Sequence, residues 1–130
     1  MNTRQIGTHY EEAAAAFLER EGIEIVDKNV RCGRIGEIDM IGIESGGATI
    51  RPEGISTSSD EETQTLIFFE VKYRKSKRLG YPAEAVDKDK QSKIRRCAEY
   101  YLAYKPAKMY VRFDVIAIEG EEINWYKNAF

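Results

Sequence analysis

The sequence has few of the residues that build metal clusters, covalent frameworks or membrane spans. Its 130 residues include one histidine, three prolines and two cysteines, and no apolar run approaches the about 20 residues that cross a bilayer. Cys32 and Cys97 lie far apart and match no metal-ligand spacing, which favours two reduced thiols in a cytoplasmic protein over a bridge. His9 is more typical of a solvated polar residue than of a ligand. No apolar stretch follows Met1, so we expect no signal peptide.

The charge is unevenly distributed along a chain of ordinary composition. Apolar residues make up 42% and charged residues 32%, which predicts one globular domain covering 1–130, without repeats. Residues 1–70 contain fourteen acidic and six basic residues, whereas residues 71–112 contain thirteen basic and four acidic ones. A basic block of this kind is typical either of a phosphate-facing surface or of a solvated helix face. Charge alone leaves both interpretations open.

Hydrophobic periodicity predicts a mixed α/β fold in the order helix, three strands, helix, strand, with a short C-terminal strand. Thr8 is a predicted cap of the first helix, with Glu11 as its capping-box partner. A glycine turn predicts that the first two strands form a hairpin, and the third reads as a buried central strand. A long loop at about 45–64, rich in glycine, serine and acidic residues, is predicted to be flexible. The predicted elements are helix His9–Arg20, strands Ile23–Val30, Ile35–Ile43 and Leu66–Arg74, helix Ala83–Ala103, and strands Met109–Ile118 and Glu122–Tyr126.

Three charged residues lie beside apolar runs, where an unpaired charge is costly. Glu70 and Lys72 are two apart on the third strand and therefore point to the same face. Asp39 lies within the preceding strand, between Ile38 and Met40. The pattern alone is compatible with a buried ion network. It also fits a site in which two carboxylates bind a hard divalent cation and a lysine orients water or balances phosphoryl charge.

The same residues carry a resemblance to a known family. Asp39, a loop and then Glu70-Val71-Lys72 resemble the motif of PD-(D/E)XK nucleases, whose core has the same order of helices and strands. Nearly the whole chain is similar to the YraN-like uncharacterised family of predicted endonucleases. The matching segments are Gly7-x-x-x-Glu11-x-x-Ala14, Phe17-Leu18, Gly22, Asn29-x-Arg31, Gly36-Glu37-Ile38-Asp39, Phe69-Glu70-Val71-Lys72-x-Arg74, Ala85-Val86, Lys90-Gln91 and Arg112-Phe113-Asp114-Val115.

The resemblance implies a restriction-endonuclease-like fold and a role for each matching residue. Asp39 and Glu70 would bind Mg²⁺, with Mn²⁺ as the alternative ion, and Lys72 would be the catalytic lysine. Glu11 resembles the first-helix glutamate of archaeal Holliday-junction resolvases, which would add it to the catalytic and metal-binding set. Contacts to nucleic acid would come from Arg74, Lys90 and Gln91.

The implied activity is a metal-dependent endonuclease, a hydrolase that cuts nucleic acid and leaves a 5′-phosphate and a 3′-hydroxyl. DNA is the favoured substrate, branched DNA is one form of it, and RNA stays open. Two alternatives remain: a non-catalytic nucleic-acid-binding module on the same fold, and a protein-interaction domain that uses Asp39, Glu70 and Lys72 as a buried ion network. Arg112 and Asp114 fit a structural pair as well as a functional one. The oligomeric state is open, with a dimer as one alternative.

One segment departs from the family pattern. The loop from Glu44 to Thr65 is much longer than the short turn that usually joins the second and third strands. Its acidic residues, Glu53 and Asp60-Glu61-Glu62, would repel a nucleic-acid backbone if they lay over the cleft. The departure bears on the substrate and its access to the site, and not on the fold.

Overall fold

The protein is a single mixed α/β domain. Within the described residues, two helices and five of the strands follow the predicted order, and two further two-residue strands lie in the connection that was predicted as a loop. The computed structural model describes residues 3–46, 50–51, 54–55, 63–74, 86–104 and 109–130. No helix among these residues is both long and apolar enough to cross a membrane. The elements are α1 (Thr3–Arg20), β1 (Glu24–Cys32), β2 (Gly36–Ser45), β3 (Ile50–Arg51), β4 (Gly54–Ile55), β5 (Gln64–Arg74), α2 (Lys88–Tyr104), β6 (Tyr110–Glu119) and β7 (Glu122–Tyr126).

Five strands form one mixed sheet in the order β1-β2-β5-β6-β7. All neighbours are antiparallel except β5 and β6, which are parallel and therefore need the crossover that contains α2. The predicted hairpin of β1 and β2 is confirmed, and Gly33 in its turn has a positive φ of 54°. β5 is the central strand, as its apolar run predicted, and residues 66–70 are all buried.

The two helices cover opposite faces of the sheet, and each closes its own apolar core. Leu18 of α1 packs with Met40 and Phe69, whereas Cys97 of α2 packs with Phe68 on the other face. Alternation along β5 explains this division, because neighbouring residues of a strand point to opposite faces. The central strand is therefore apolar from Leu66 to Phe69, and its charged residues begin only at Glu70.

Both helices differ from the sequence prediction at their N-terminal ends. α1 begins at Thr3 and not at His9, because Ile6, four residues before Tyr10, extends the apolar stripe by one turn. Thr8 therefore lies inside the helix, and its predicted role as a cap with Glu11 is wrong. α2 begins at Lys88 and is capped by Asp87, whose Oδ1 accepts the Lys90 N–H at 2.8 Å. The predicted start at Ala83 lies outside the described residues.

Cys32 and Cys97 form a disulfide bond, so the prediction of two reduced thiols is wrong for this structure. Cys32 ends β1 and Cys97 lies in α2, 65 residues later, with the Cα atoms 5.5 Å apart. Sequence spacing gave no sign of this proximity, because the packing of α2 against the β1–β2 hairpin creates it.

The structure describes part of the long connection between β2 and β5. β2 extends to Ser45 and β5 begins at Gln64, and the Gly46 N–H donates to the Thr63 carbonyl oxygen at 3.2 Å. β3 and β4 pair as a separate two-stranded sheet. The predicted flexibility of the loop falls mainly on residues 47–49, 52–53 and 56–62, which lie outside the described residues.

Candidate functional site

The predicted carboxylates meet where β2 and β5 separate. The last paired residues of these strands are Met40 and Phe69. The next position on each strand, beyond the pairing, is Asp39 on β2 and Glu70 on β5. Beyond that point the Val71 N–H donates to Asp39 Oδ2 at 2.8 Å. The side chain of Asp39 thus accepts the hydrogen bond of a strand backbone, which fixes its position beside β5. Glu70 is only 4% exposed.

The proximity of the two acids shows in the pKa of Asp39, which is raised from 3.8 to about 8. Burial makes the largest contribution, and the charge of Glu70 and a hydrogen bond between the two carboxyls act in the same direction. The bond from Val71 opposes these effects. At neutral pH and without metal, Asp39 is therefore mainly protonated beside Glu70.

Two lysines neutralise Glu70 from different elements. Lys72 on β5 places its Nζ 3.6 Å from Glu70 Oε1, and Lys90 on α2 forms a closer ion pair with the same oxygen. Burial lowers the pKa of Lys72, and so does the neighbouring Lys90. Although burial opposes it, the bond to Glu70 raises the pKa of Lys90. Lys90, predicted as a phosphate contact, therefore lies in the centre of the carboxylate cluster.

Glu11 of α1 lies at the edge of this cluster. Its pKa is raised, first by burial and further by the charges of Glu37 and Glu70. Asn29, with its amide nitrogen turned toward the carboxylates, donates to Glu11 Oε2 at 3.1 Å and to Glu37 Oε1 at 3.2 Å. Glu11 thus faces Asp39 and Glu70, and with Thr8 inside the helix its alternative capping role is lost.

Sequence analysis gave Asn29 no role, although it lies inside a strand, where asparagine is uncommon. Its φ of 51° is in the left-handed region, which asparagine tolerates better than most residues. This backbone geometry accompanies the bridge from Asn29 to two carboxylates. An asparagine within an otherwise apolar and charged strand was the available signal.

The other predicted nucleic-acid contacts lie nearby but outside the carboxylate cluster. Gln91 Nε2 donates to the Val86 carbonyl oxygen at 2.8 Å, which ties the first turn of α2 to the residue before its cap. Arg74 is the last residue of β5, two positions beyond Lys72, and its carbonyl oxygen accepts the Gly120 N–H at 3.2 Å. Their contact with nucleic acid stays a prediction.

Several members of the basic block have partners within the chain. Lys93 pairs with Asp89 at 3.0 Å, and the guanidinium of Arg95 lies 5.2 Å from the centre of the Phe113 ring. Arg112 pairs with Asp114 and with Glu44. Lys75, Lys77, Arg78, Lys105 and Lys108 are outside the described residues. The described part of the block is therefore divided among separate contacts.

Arg112 and Asp114 form the structural pair that the sequence left as one of two alternatives. Asp114 is completely buried, and the Arg112 guanidinium donates to both of its oxygens at 2.9–3.2 Å. Trp125 Nε1 and the Asn128 N–H each donate to it at 2.8 Å. Fixed donors thus satisfy this carboxylate from two strands and the C-terminal segment.

The donor set at Asp39 and Glu70 fits a hard divalent cation better than a softer one. The two carboxyls supply oxygen ligands, and at least one extra proton or cation must neutralise them when they are close. Within the described residues, no three histidine, cysteine, aspartate or glutamate side chains are arranged as a ready metal-binding group. The two neighbouring carboxyls, with Glu11 behind them, are the residues that could hold an ion.

Comparison with known proteins identifies close relatives over the whole domain. Residues 10–118 match the model of an uncharacterised protein family, UPF0102. A UPF0102 protein of Caldicellulosiruptor saccharolyticus is 38% identical over 138 aligned positions, covering all of both chains. One from Fusobacterium nucleatum is 37% identical over 98% of this chain and 92% of its own. One from Cytophaga hutchinsonii is 39% identical over 92% of this chain and 88% of its own.

Proposed function

We propose a function for this chain, which belongs to the uncharacterised protein family UPF0102: it is a metal-dependent endonuclease of the PD-(D/E)XK type. The observation that carries the proposal is the convergence of Asp39, Glu70 and Lys72 where β2 and β5 separate. A bound Mg²⁺ or Mn²⁺ would supply Lewis-acid activation of water and of a phosphate oxygen. The proposed substrate is DNA, including branched DNA.

The chain's own residues would divide the work by their positions. Asp39 and Glu70 would hold the ion, and Glu11 would complete its surroundings from α1. Lys72, 26% exposed and beside Glu70, could orient a water molecule and balance negative charge on the phosphoryl oxygens. Burial, and after it the neighbouring Lys90, lowers the pKa of Lys72, so this ammonium group releases a proton more easily than a solvated lysine does. Arg74 and Gln91 would contact the substrate backbone beyond the ion.

Lys72→Ala tests catalysis, with Lys88→Ala as a control that removes an exposed lysine from the same basic block. Cleavage of linear and four-way-junction DNA would be measured in Mg²⁺, together with thermal unfolding and DNA binding. We expect Lys72→Ala to fold with near-normal stability in Mg²⁺ and to bind DNA, but to lose cleavage. The Lys88→Ala control should retain all three properties. Cleavage that survives Lys72→Ala would overturn the proposed catalytic role.

A non-catalytic nucleic-acid-binding module is the second candidate function. It is favoured by the ion pairs of Glu70 with Lys72 and Lys90, which already balance the charge of this carboxylate. Binding without turnover in Mg²⁺ and Mn²⁺ would support it. For either function, the remaining basic residues should make affinity fall with salt, with a log–log slope of about 0.9 per neutralised phosphate on duplex DNA. Absence of binding at low salt would contradict both.

Cytoplasmic location is part of the proposal, and it bears on the disulfide bond. Cytosolic thiols keep most cysteine pairs reduced, so the Cys32–Cys97 bond would be open in that compartment. Alkylation of intact cells, followed by mass measurement of the protein, would distinguish two blocked thiols from a bridge. A bridge in freshly lysed cells would contradict the cytoplasmic assignment.

A further inference from the structure

The ammonium group of Lys90 lies beside Glu70, one of the two carboxylates that would bind the candidate cation. It forms the closest charged contact of Glu70, a side chain that is 4% exposed, and it lies within electrostatic reach of Asp39. Lys72 contacts the same Glu70 oxygen from the other side. Lys72 and Lys90 thus balance the charge of Glu70 from two different elements.

Lys90 and Lys72 differ in how readily their ammonium groups can move away from Glu70. Lys72 projects from the central strand and is 26% exposed, whereas Lys90 projects from the first turn of a surface helix and is 41% exposed. The helix backbone at Lys90 is fixed by the Asp87 cap, and Gln91 ties the same turn to Val86. Only the four-carbon side chain of Lys90 would have to rotate.

The space beside Lys90 can receive the displaced ammonium group. A pocket of about 280 Å³ lies between the start of β2 and the start of α2 and is lined by Lys90, Lys93, Glu37, Asp87 and Asp89. Asp87 already caps the helix and Asp89 already binds Lys93. A phosphate at the rim of this pocket would face two lysines from adjacent turns of one helix.

We propose that Lys90 is a built-in counter-ion of Glu70, which a divalent cation displaces and which then turns to a phosphate oxygen of the nucleic-acid backbone. The proposal rests on the proposed metal-dependent function and makes Lys90 a positioning residue within it. A divalent ion and an ammonium group on one carboxylate repel each other strongly in a partly buried site. Metal loading and phosphate contact are therefore coupled through one side chain.

Lys90→Met tests the first half of the proposal, the displacement of Lys90 by a divalent cation. It removes the charge but keeps most of the side-chain length. Lys93→Met is the matched control, since it removes the same charge from the next turn and from the same pocket. Mn²⁺ affinity would be measured by calorimetry at fixed pH and ionic strength. We expect Lys90→Met to bind Mn²⁺ at least tenfold more tightly than wild type, and Lys93→Met to change affinity by less than about threefold.

Each outcome separates this inference from the proposed function. If wild type binds Mn²⁺ and Lys90→Met binds it no more tightly, the counter-ion role is overturned while the metal site stands. If Lys90→Met alone binds Mn²⁺, the lysine blocks the site, which supports the inference. If neither binds, both ideas fail. Lys90→Arg keeps the charge and should bind Mn²⁺ with the affinity of wild type. It therefore separates the effect of the charge from any other effect of a substitution at this position.

The second half of the proposal, the turn of Lys90 to a phosphate oxygen, is tested by DNA binding with and without Ca²⁺, a divalent cation that carboxylate oxygens also bind. In wild type, Ca²⁺ should raise DNA affinity and add about one phosphate contact to the salt dependence, a change of about 0.9 in log–log slope. Lys90→Met should lack that increment in slope but match wild type without Ca²⁺. An equal loss of affinity in both conditions would overturn the coupling, since Lys90 would then contact phosphate regardless of metal.

Discussion

The domain contains two kinds of buried carboxylate, on the neighbouring strands β5 and β6 of the same sheet. Asp114 is fully buried, and all its partners are donors held by the fold, namely a guanidinium, an indole and a backbone amide. Glu70 is almost as buried, but two lysines neutralise it, and its neighbour Asp39 retains a proton. Fixed donors mark a carboxylate that stabilises the fold. Exchangeable partners mark one that can accept another ligand.

The largest expected effect is on the structural carboxylate. Asp114→Asn should lower the free energy of unfolding by about 3–5 kcal/mol, because it removes one of the two carboxylates that balance Arg112 and turns an amide group toward fixed donors. The loss should be equal with and without Mg²⁺. Glu70→Gln should stay within about 1 kcal/mol of wild type, because both lysines can reach water, and should lose any Mg²⁺ response. Denaturant unfolding measures both, and a reversed ranking would break the comparison.

Removal of the disulfide bond should destabilise the protein and leave the candidate metal site intact. Cys32→Ala/Cys97→Ala should lose roughly 2–4 kcal/mol, since the bond closes a loop spanning 65 residues and both side chains are buried. The shift in Tm caused by Mn²⁺ should match that of wild type. If the metal response disappeared as well, it would depend on the anchoring of α2 and would not be a property of the carboxylates alone.

Per pH unit, the pH dependence of stability comes next in size. Asp39 has a pKa of about 8 in the folded, metal-free protein and an ordinary value of 3.8, so the folded state holds the proton more tightly than the unfolded chain. Its contribution is therefore fully present below about pH 4 and is lost as the pH rises toward about 8. The slope is at most about 1.4 kcal/mol per pH unit. Asp39→Asn should flatten that part of the profile, and saturating Mn²⁺ should weaken it.

This profile is measured by denaturant unfolding at pH 5, 6, 7 and 8 in buffers of equal ionic strength. A wild type whose stability rises over this range, with no difference from Asp39→Asn, would contradict the raised pKa. It would also remove the contrast between the two carboxylate sites, because Asp39 would then be as firmly ionised as an ordinary surface acid.

The smallest expected effect is at Asn29. Asn29→Gly should change stability by less than about 0.5 kcal/mol, since glycine adopts the φ of 51° without strain and the residue is exposed. It should weaken Mn²⁺ binding severalfold, because Glu11 loses the amide that holds it. Asn29→Ala should show the same loss of Mn²⁺ affinity and a further cost of about 1 kcal/mol from the left-handed backbone. Unchanged Mn²⁺ affinity in both variants would exclude Asn29 from the site.

Sequence reasoning located the strand residues of the candidate site because strand geometry is local. The end of an apolar run identified Glu70 and Lys72, and a period of two assigned them to one face. It did not find the contact between Lys90 and Glu70 or the bond between Cys32 and Cys97, both of which depend on how the α2 crossover packs on the sheet. The role of Asn29 was missed because an asparagine inside a strand marks an unusual position but does not indicate which carboxylates its side chain reaches.

The most direct test of the central claim is Mn²⁺ calorimetry on three proteins at pH 7.5. Wild type and Asp89→Asn, which removes an exposed acid from α2, are expected to bind one ion per chain with similar affinity. Asp39→Asn is expected to bind at least tenfold more weakly, because it removes a negative charge and replaces one of the two oxygens of a side chain that the Val71 amide holds in place. Absence of binding to wild type, or equal affinity in Asp39→Asn, would contradict the claim that Asp39 and Glu70 form a cation site.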